Sequence, residues 1–147
     1  HSLSRRQRQM CIRDSANFAW GSWLSASNPV IRDIHEYCLV FSKDSMKNSS
    51  GGVSTIEKDE FMESTLSIWN INPEKAKKIG HPAPFPVELP KKFINLYSFK
   101  DDLVLDPFIG SGTTAVASKL MQRNYVGYEI NKDYIEIAYK RLETETN

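Results

Sequence analysis

The stretch that most restricts the possible folds is residues 103–142. Leu103-Val104-Leu105 reads as a short buried strand, and residues 106–114 (DPFIGSGTT) read as a turn carrying Gly110 and Gly112. Residues 114–123 (TAVASKLMQR) have helix composition, and residues 125–130 (YVGYEI) read as a second strand. Asn131 is placed to cap a further helix, along which Tyr134, Ile135, Ala138, Tyr139 and Leu142 recur at helical spacing. Strand–helix–strand–helix in this order predicts an α/β fold: parallel strands joined by a right-handed crossover.

The turn is the chemically informative part. Where a parallel strand ends, the chain faces whatever binds above the carboxyl edge of the sheet. Gly110 and Gly112 carry no side chain there, so the backbone can approach a ligand closely. The helix that follows adds free N–H groups and the positive end of its dipole. Glu129 lies 23 residues after Asp106, near the spacing at which an acid meets ribose hydroxyls. An adenosine-containing ligand is therefore expected. The spacing by itself leaves a dinucleotide open, because Ala115 is tolerated as the third small residue. A phosphate-cradling P-loop is disfavoured, since no Lys follows Gly112.

Upstream, residues 36–42 (EYCLVFS) form a compact β-rich run and predict a buried strand, with Cys38 inside it. His35 and Glu36 beside that run read as core hydrogen-bonding groups rather than acid–base catalysts. Residues 43–54 are polar and contain Ser49-Ser50-Gly51-Gly52, a loop tip. A capping pattern at Ser54 or Thr55 predicts a helix to about residue 68. Residues 73–80 predict a helical turn opened by Pro73 and closed by Gly80. Residues 81–90 (HPAPFPVELP) hold four prolines in ten and predict an ordered extended loop. A helix is expected over residues 91–99, with Phe93, Ile94, Leu96 and Tyr97 on one face.

These motifs together carry a resemblance. DPFIGSGTTAVAS followed by VGYEINKDYIEIA resembles the S-adenosylmethionine (SAM) motifs of DNA methyltransferases that modify N6 of adenine or N4 of cytosine. HPAPFPVELPKKFI resembles the proline-rich motif before the SAM motif in the permuted, β-type order. WGSWLSASNPVIRDIHEYCLVFSK resembles the segment after that family's catalytic loop. The resemblance covers about residues 18–142. It implies a Rossmann-like SAM-dependent methyltransferase sheet, incomplete on its N-terminal side, that uses SAM as cofactor and double-stranded DNA as substrate. A cognate restriction endonuclease is an implied companion.

Residue by residue, the resemblance implies that Asp106, Phe108, Gly110 and Gly112 line the cofactor, with Pro107 and Ser111 in the same turn. Thr113 and Thr114 would stand at the helix start, Glu129 at the ribose, and His81, Pro82 and Phe85 at the methionine end, with Glu88 a further candidate there. It also implies a division of the chain. Residues 16–42 would end the catalytic half, residues 43–80 would form the target-recognition segment, and residues 81–147 the SAM half.

The family's catalytic loop reads Asp/Asn/Ser-Pro-Pro-aromatic, and its aromatic stacks on the flipped base. No Pro-Pro pair occurs in this sequence; Asn28-Pro29-Val30-Ile31 lacks the second proline and the aromatic. No catalytic residue is therefore assigned, and the chain alone is expected to be inactive. Between the two bases, the overall resemblance leans to N4 of cytosine. Two readings compete: a SAM-binding remnant without activity, and a SAM enzyme acting on RNA or a small molecule.

Charge and composition remove other classes. The net charge of +1 depends on Arg5, Arg6, Arg8 and Arg13; the residues after 15 carry a net −2. Residues 1–15 lack any apolar period and read as a non-native, adapter-like leader rather than a nucleic-acid arm. The 43–80 segment holds six basic and six acidic residues, so Lys75, Lys77 and Lys78 serve equally as a solvated face or as phosphate contacts. Trp20, Trp23 and Trp69 read as packing residues before base-stacking ones. No run suits a membrane span. Cys11 and Cys38 suggest neither a disulfide framework nor a metal set, and His81 has no ligand-like partners. The expected location is the cytoplasm.

Overall fold

The computed structural model describes residues 35–43, 45, 51–73 and 85–146. The chain divides into two units, His1–Met46 and Lys47–Asn147. In the first, residues 35–43 adopt no regular element and are exposed throughout, which overturns the buried strand expected over 36–42. A strand exists only when its N–H and C=O groups pair with a neighbour, and among the described residues no strand pairs with this run. Cys38 is accordingly exposed. His35 and Glu36 are exposed as well, and His35 stacks edge-on against Tyr37 at 5.0 Å instead of serving a core.

The second unit runs α1 (Lys58–Ser64), α2 (Glu88–Tyr97), β1 (Leu103–Asp106), α3 (Thr113–Leu120), β2 (Asn124–Gly127), α4 (Lys132–Glu145). β1 and β2 pair in parallel, in register from Leu103 opposite Asn124 to Asp106 opposite Gly127. α3 is the crossover between them, so the strand–helix–strand–helix order stands as expected. α3 packs on β2, α2 and α4, while α1 packs on α2. The core is small: Ala115, Val116 and Leu142, with Val87 and Ile109 against them.

Several boundaries differ from expectation for local reasons. α1 starts at Lys58, because Glu57 is extended at ψ 157° and Thr55 is engaged elsewhere: its hydroxyl meets Asn95 Oδ1 at 3.4 Å and accepts from Arg123 Nη1. α1 ends at Ser64: Thr65 N–H still bonds Phe61 O at 3.0 Å, but Leu66 N–H turns back to Glu63 O at 3.2 Å, an i→i−3 bond that tightens and closes the last turn. α2 begins inside the proline-rich stretch, at Glu88, with Pro90 in its first turn. The N–H groups of a first turn have no helical acceptor, so proline forfeits nothing there. α3 spans 113–120 rather than 114–123; Gln122, at φ 61°, ends it. β2 ends at Gly127 because its partner ends at Asp106.

The expected burial of β1 is not found. Leu103 is 66% exposed and Leu105 61%, and Tyr139 of α4 also faces solvent. A two-stranded sheet with helices on one face leaves the alternate side chains of β1 uncovered, because burial of a strand needs a second layer. Polar side chains hold the rest of the unit together. Arg123, buried, donates from Nε to Ser98 Oγ at 3.1 Å, from Nη2 to Ser98 O at 2.7 Å, and from Nη1 to Met121 O and Thr55 Oγ1. Burial lowers its pKa from the ordinary arginine value, opposed by the nearby Asp102 and Asp101 carboxylates. Lys92, also buried, reaches Glu63 at 3.3 Å and lies 5.8 Å from the centre of the Trp69 ring. Trp69 packs edge-on against Phe93 at 5.1 Å and donates its indole N–H to Ser64 O, the structural role expected of it.

Candidate functional site: the turns at the carboxyl edge of the sheet

Two turns leave the carboxyl ends of β1 and β2 and are joined by backbone bonds. Tyr128 N donates to Asp106 O at 3.1 Å, and Ile109 N donates to Tyr128 O at 3.1 Å. This pairing requires close approach: a Cβ on Gly127 would stand 2.2 Å from Ile109 Cδ1. The glycine turn and the segment bearing Glu129 are thereby set side by side.

The first turn is braced from β1. Asp106 accepts Phe108 N–H through Oδ1 at 2.9 Å and Thr114 Oγ1–H through Oδ2 at 2.6 Å. Its carboxylate thus closes the turn onto the first turn of α3. Gly110 and Gly112 have φ of 50° and 82°, in the left-handed region where a side chain is unfavourable. Gly112 is also small because α4 lies against it; an added Cβ would meet Ala138 Cβ at 2.7 Å.

The second turn is organised by Glu129. Its Oε1 accepts the N–H groups of Ile130 at 2.9 Å and Asn131 at 2.8 Å. Asn131 then caps α4, its side chain accepting from Asp133 N at 2.9 Å, as expected from the sequence. At the tips of the two turns, Phe108 is 87% exposed and Ile130 fully so. One edge therefore offers backbone freed of side chains, a fixed carboxylate and two unburied apolar side chains.

The expected site residues fall into three groups. Asp106, Pro107, Phe108, Gly110, Ser111, Gly112, Thr113, Thr114 and Glu129 stand on these two adjoining turns and the helix start between them. Phe85 is exposed and precedes Val87, which packs on the Ala115–Val116–Leu142 cluster. His81 and Pro82, like Lys75, Lys77, Lys78, Trp20 and Trp23, lie outside the described residues.

Ser111 and Thr113 are buried and turned inward, against a residue that sequence reasoning passed over. Arg141 of α4, 6% exposed, donates from Nη1 to Thr113 Oγ1 at 2.9 Å, Ser111 O at 3.1 Å and Ser111 Oγ at 3.4 Å. The only hint in the sequence is Glu145 four residues on, a spacing common on solvated helix faces. Among the described residues no group of three or more His, Cys, Asp or Glu could hold a metal ion, and no helix is long and apolar enough to cross a membrane.

This arrangement can be compared with known proteins. The profile of the DNA methylase family matches residues 5–140. The chain belongs to the N6/N4 DNA methylase family. It is 33% identical over 163 aligned residues to the type II methyltransferase M.HindIII of Haemophilus influenzae, an alignment covering 97% of this chain and 52% of that protein. With M.BglI of Bacillus subtilis it shares 42% identity over 90 residues, 60% of this chain and 26% of the relative. The chain thus spans a quarter to about half of the length of these relatives. Among solved structures, it resembles a Thermus thermophilus protein provisionally described as a DNA modification methylase, in complex with S-adenosyl-L-methionine. There the identity is 34% and the TM-score 0.55, over 63% of this chain and 35% of that one.

Proposed function

We propose that this chain carries the SAM site of a methyltransferase acting on an exocyclic amino group in DNA, N6 of adenine or N4 of cytosine. The observation that carries the reading is the placement of Glu129. Its carboxylate is held by two backbone N–H groups beside a turn whose glycines expose backbone. The residues fit the cofactor's chemistry. A fixed carboxylate suits a pair of vicinal ribose hydroxyls, and Phe108 and Ile130 offer apolar surface to a flat purine. The start of α3 favours a carboxylate such as that of a methionine group.

SAM supplies a sulfonium-bound methyl group to an attacking amine. The chain's own residues bind and orient. Asp106 fixes the turn, Gly110 and Gly112 admit the ligand to the backbone, and Glu129 holds the sugar. Ser111 and Thr113 contribute backbone rather than hydroxyls, which face Arg141. His81, Pro82 and Phe85 complete the methionine end in this reading. Residues 43–80, including α1, are assigned to target recognition in double-stranded DNA, and residues 81–147 to the cofactor half. With no Pro-Pro pair in the sequence, methyl transfer by this chain alone is not expected.

The test is calorimetric titration of the chain with SAM. Binding is expected, and Glu129→Ala should weaken it by on the order of 1–3 kcal/mol, the cost of leaving hydroxyls unpaired. Unchanged affinity in that variant would refute the ribose assignment.

A further inference from the structure

We infer that Arg141 is a positioning residue for the cofactor turn, acting through Thr113 and Ser111 rather than by touching the ligand. The inference rests on the SAM reading above.

The guanidinium is almost fully buried, and its two edges face two different elements. One edge, Nε and Nη2, meets the two oxygens of Glu145 at 2.8 and 3.2 Å. That two-pronged pairing fixes the plane of the group as well as its position. The other edge, Nη1, meets Ser111 and Thr113, the two neighbours of Gly112. Gly112 is the second of the turn's two left-handed glycines, and Ala138, three residues before Arg141 on α4, stands against it. The third turn of α4 thus grips the point where the chain passes from the glycine turn into α3.

The other end of the same helix belongs to the second turn. Asn131 caps α4, and its own N–H is one of the two donors to Glu129. α4 therefore connects the carboxylate proposed for the ribose with the turn proposed for the rest of the cofactor. Asp106 braces that turn from β1 and Arg141 braces it from α4. A ligand spanning both turns is sensitive to their spacing, and displacements well under the length of a bond weaken hydrogen bonds that depend on angle and distance. Arg141 is a polar contact from α4 that holds this spacing.

Lysine in its place keeps the charge but has no planar fork and cannot hold both partners in one geometry. The experiment is SAM titration by calorimetry on the unaltered chain and on Arg141→Lys, Thr113→Val, Thr113→Ser, Glu145→Gln and the Arg141→Lys/Thr113→Val pair. All titrations are run well below each variant's unfolding temperature, so that loss of fold and loss of site are read separately.

About tenfold weaker binding is expected for Arg141→Lys and for Thr113→Val, in keeping with one hydrogen bond to a charged group. Thr113→Ser, which retains the acceptor, should bind within about twofold of the unaltered chain, and Glu145→Gln should fall between. Because the Arg141–Thr113 contact is lost in either single variant, the double variant should fall well short of about a hundredfold weaker. Additive losses, or an Arg141→Lys chain that is folded and binds normally while Glu129→Ala does not, would overturn the positioning role and leave the SAM reading intact. Failure of the unaltered chain to bind SAM would overturn both.

Discussion

Thr114 Oγ1 lies 2.6 Å from Asp106 Oδ2, so the last residue of β1 and the second residue of α3 are joined directly across the turn between them. The other carboxylate oxygen takes Phe108 N–H. The turn is therefore closed by its own first residue before any ligand is considered. Thr114→Val removes the donor while keeping the branched shape. It should cost about 1–2 kcal/mol of stability, since the carboxylate is partly buried and loses a charge-assisted bond. Thr114→Ser should recover most of that loss. Denaturant unfolding of the three proteins measures it, and a valine variant as stable as the parent would show that the bond contributes nothing net.

Gly112 and Gly51 separate conformational strain from crowding. Both have positive φ, 82° and 69°. A Cβ on Gly51 meets nothing within 4 Å, whereas one on Gly112 runs into Ala138. Gly51→Ala should cost about 1–2 kcal/mol, the left-handed penalty alone. Gly112→Ala should cost that plus about 1–3 kcal/mol of overpacking against α4. Equal losses at the two positions would mean that α4 can move away from the turn freely.

Arg123 ties three separate stretches: the segment around Thr55, the end of α2 at Ser98, and the turn at Met121. Arg123→Met keeps much of the buried length but leaves those oxygens without their donor. A loss of about 2–4 kcal/mol is expected, the order found when one partner of a buried polar cluster is removed. The stretch of chain before α1 should then be released first, so limited proteolysis near residues 51–57 should accelerate in the variant. An unchanged melting temperature together with unchanged cleavage would contradict this account.

Features written into single residues were legible from the sequence. Asn131 caps α4 because its side chain reaches Asp133 N locally, and Gly112 marks a left-handed turn because other residues strain there. The glycine turn and the acid after β2 meet at one edge because parallel strands with a crossover force both carboxyl ends to the same side. Burial was not legible in the same way. EYCLVFS and LVL have the composition of buried strands, but burial is decided by a neighbouring layer, and composition does not say whether one is present. Charged residues that act as long-range anchors, such as Arg123, Arg141 and Lys92, were also hidden. Each looks like a solvated charge in sequence, and only the fold brings its partners within reach.

That distinction between composition and cover leads to a last prediction. Leu103 and Leu105 alternate along β1 and share a face of the sheet with Asn124 and Val126, their register partners. Since both leucines remain largely exposed, their apolar atoms gain little from folding. Leu105→Thr should change stability by less than about 1 kcal/mol, within the range of surface substitutions. Val116→Ala, at a fully buried position of the core, should cost about 1–3 kcal/mol through the lost methyl groups and the cavity they leave. Replacing both leucines with threonine should also raise the protein concentration at which the chain stays monodisperse, because exposed apolar patches drive self-association. Light scattering across a concentration series, beside denaturant unfolding, reads both effects. A leucine pair whose loss costs as much as Val116→Ala would mean that this face is covered in solution.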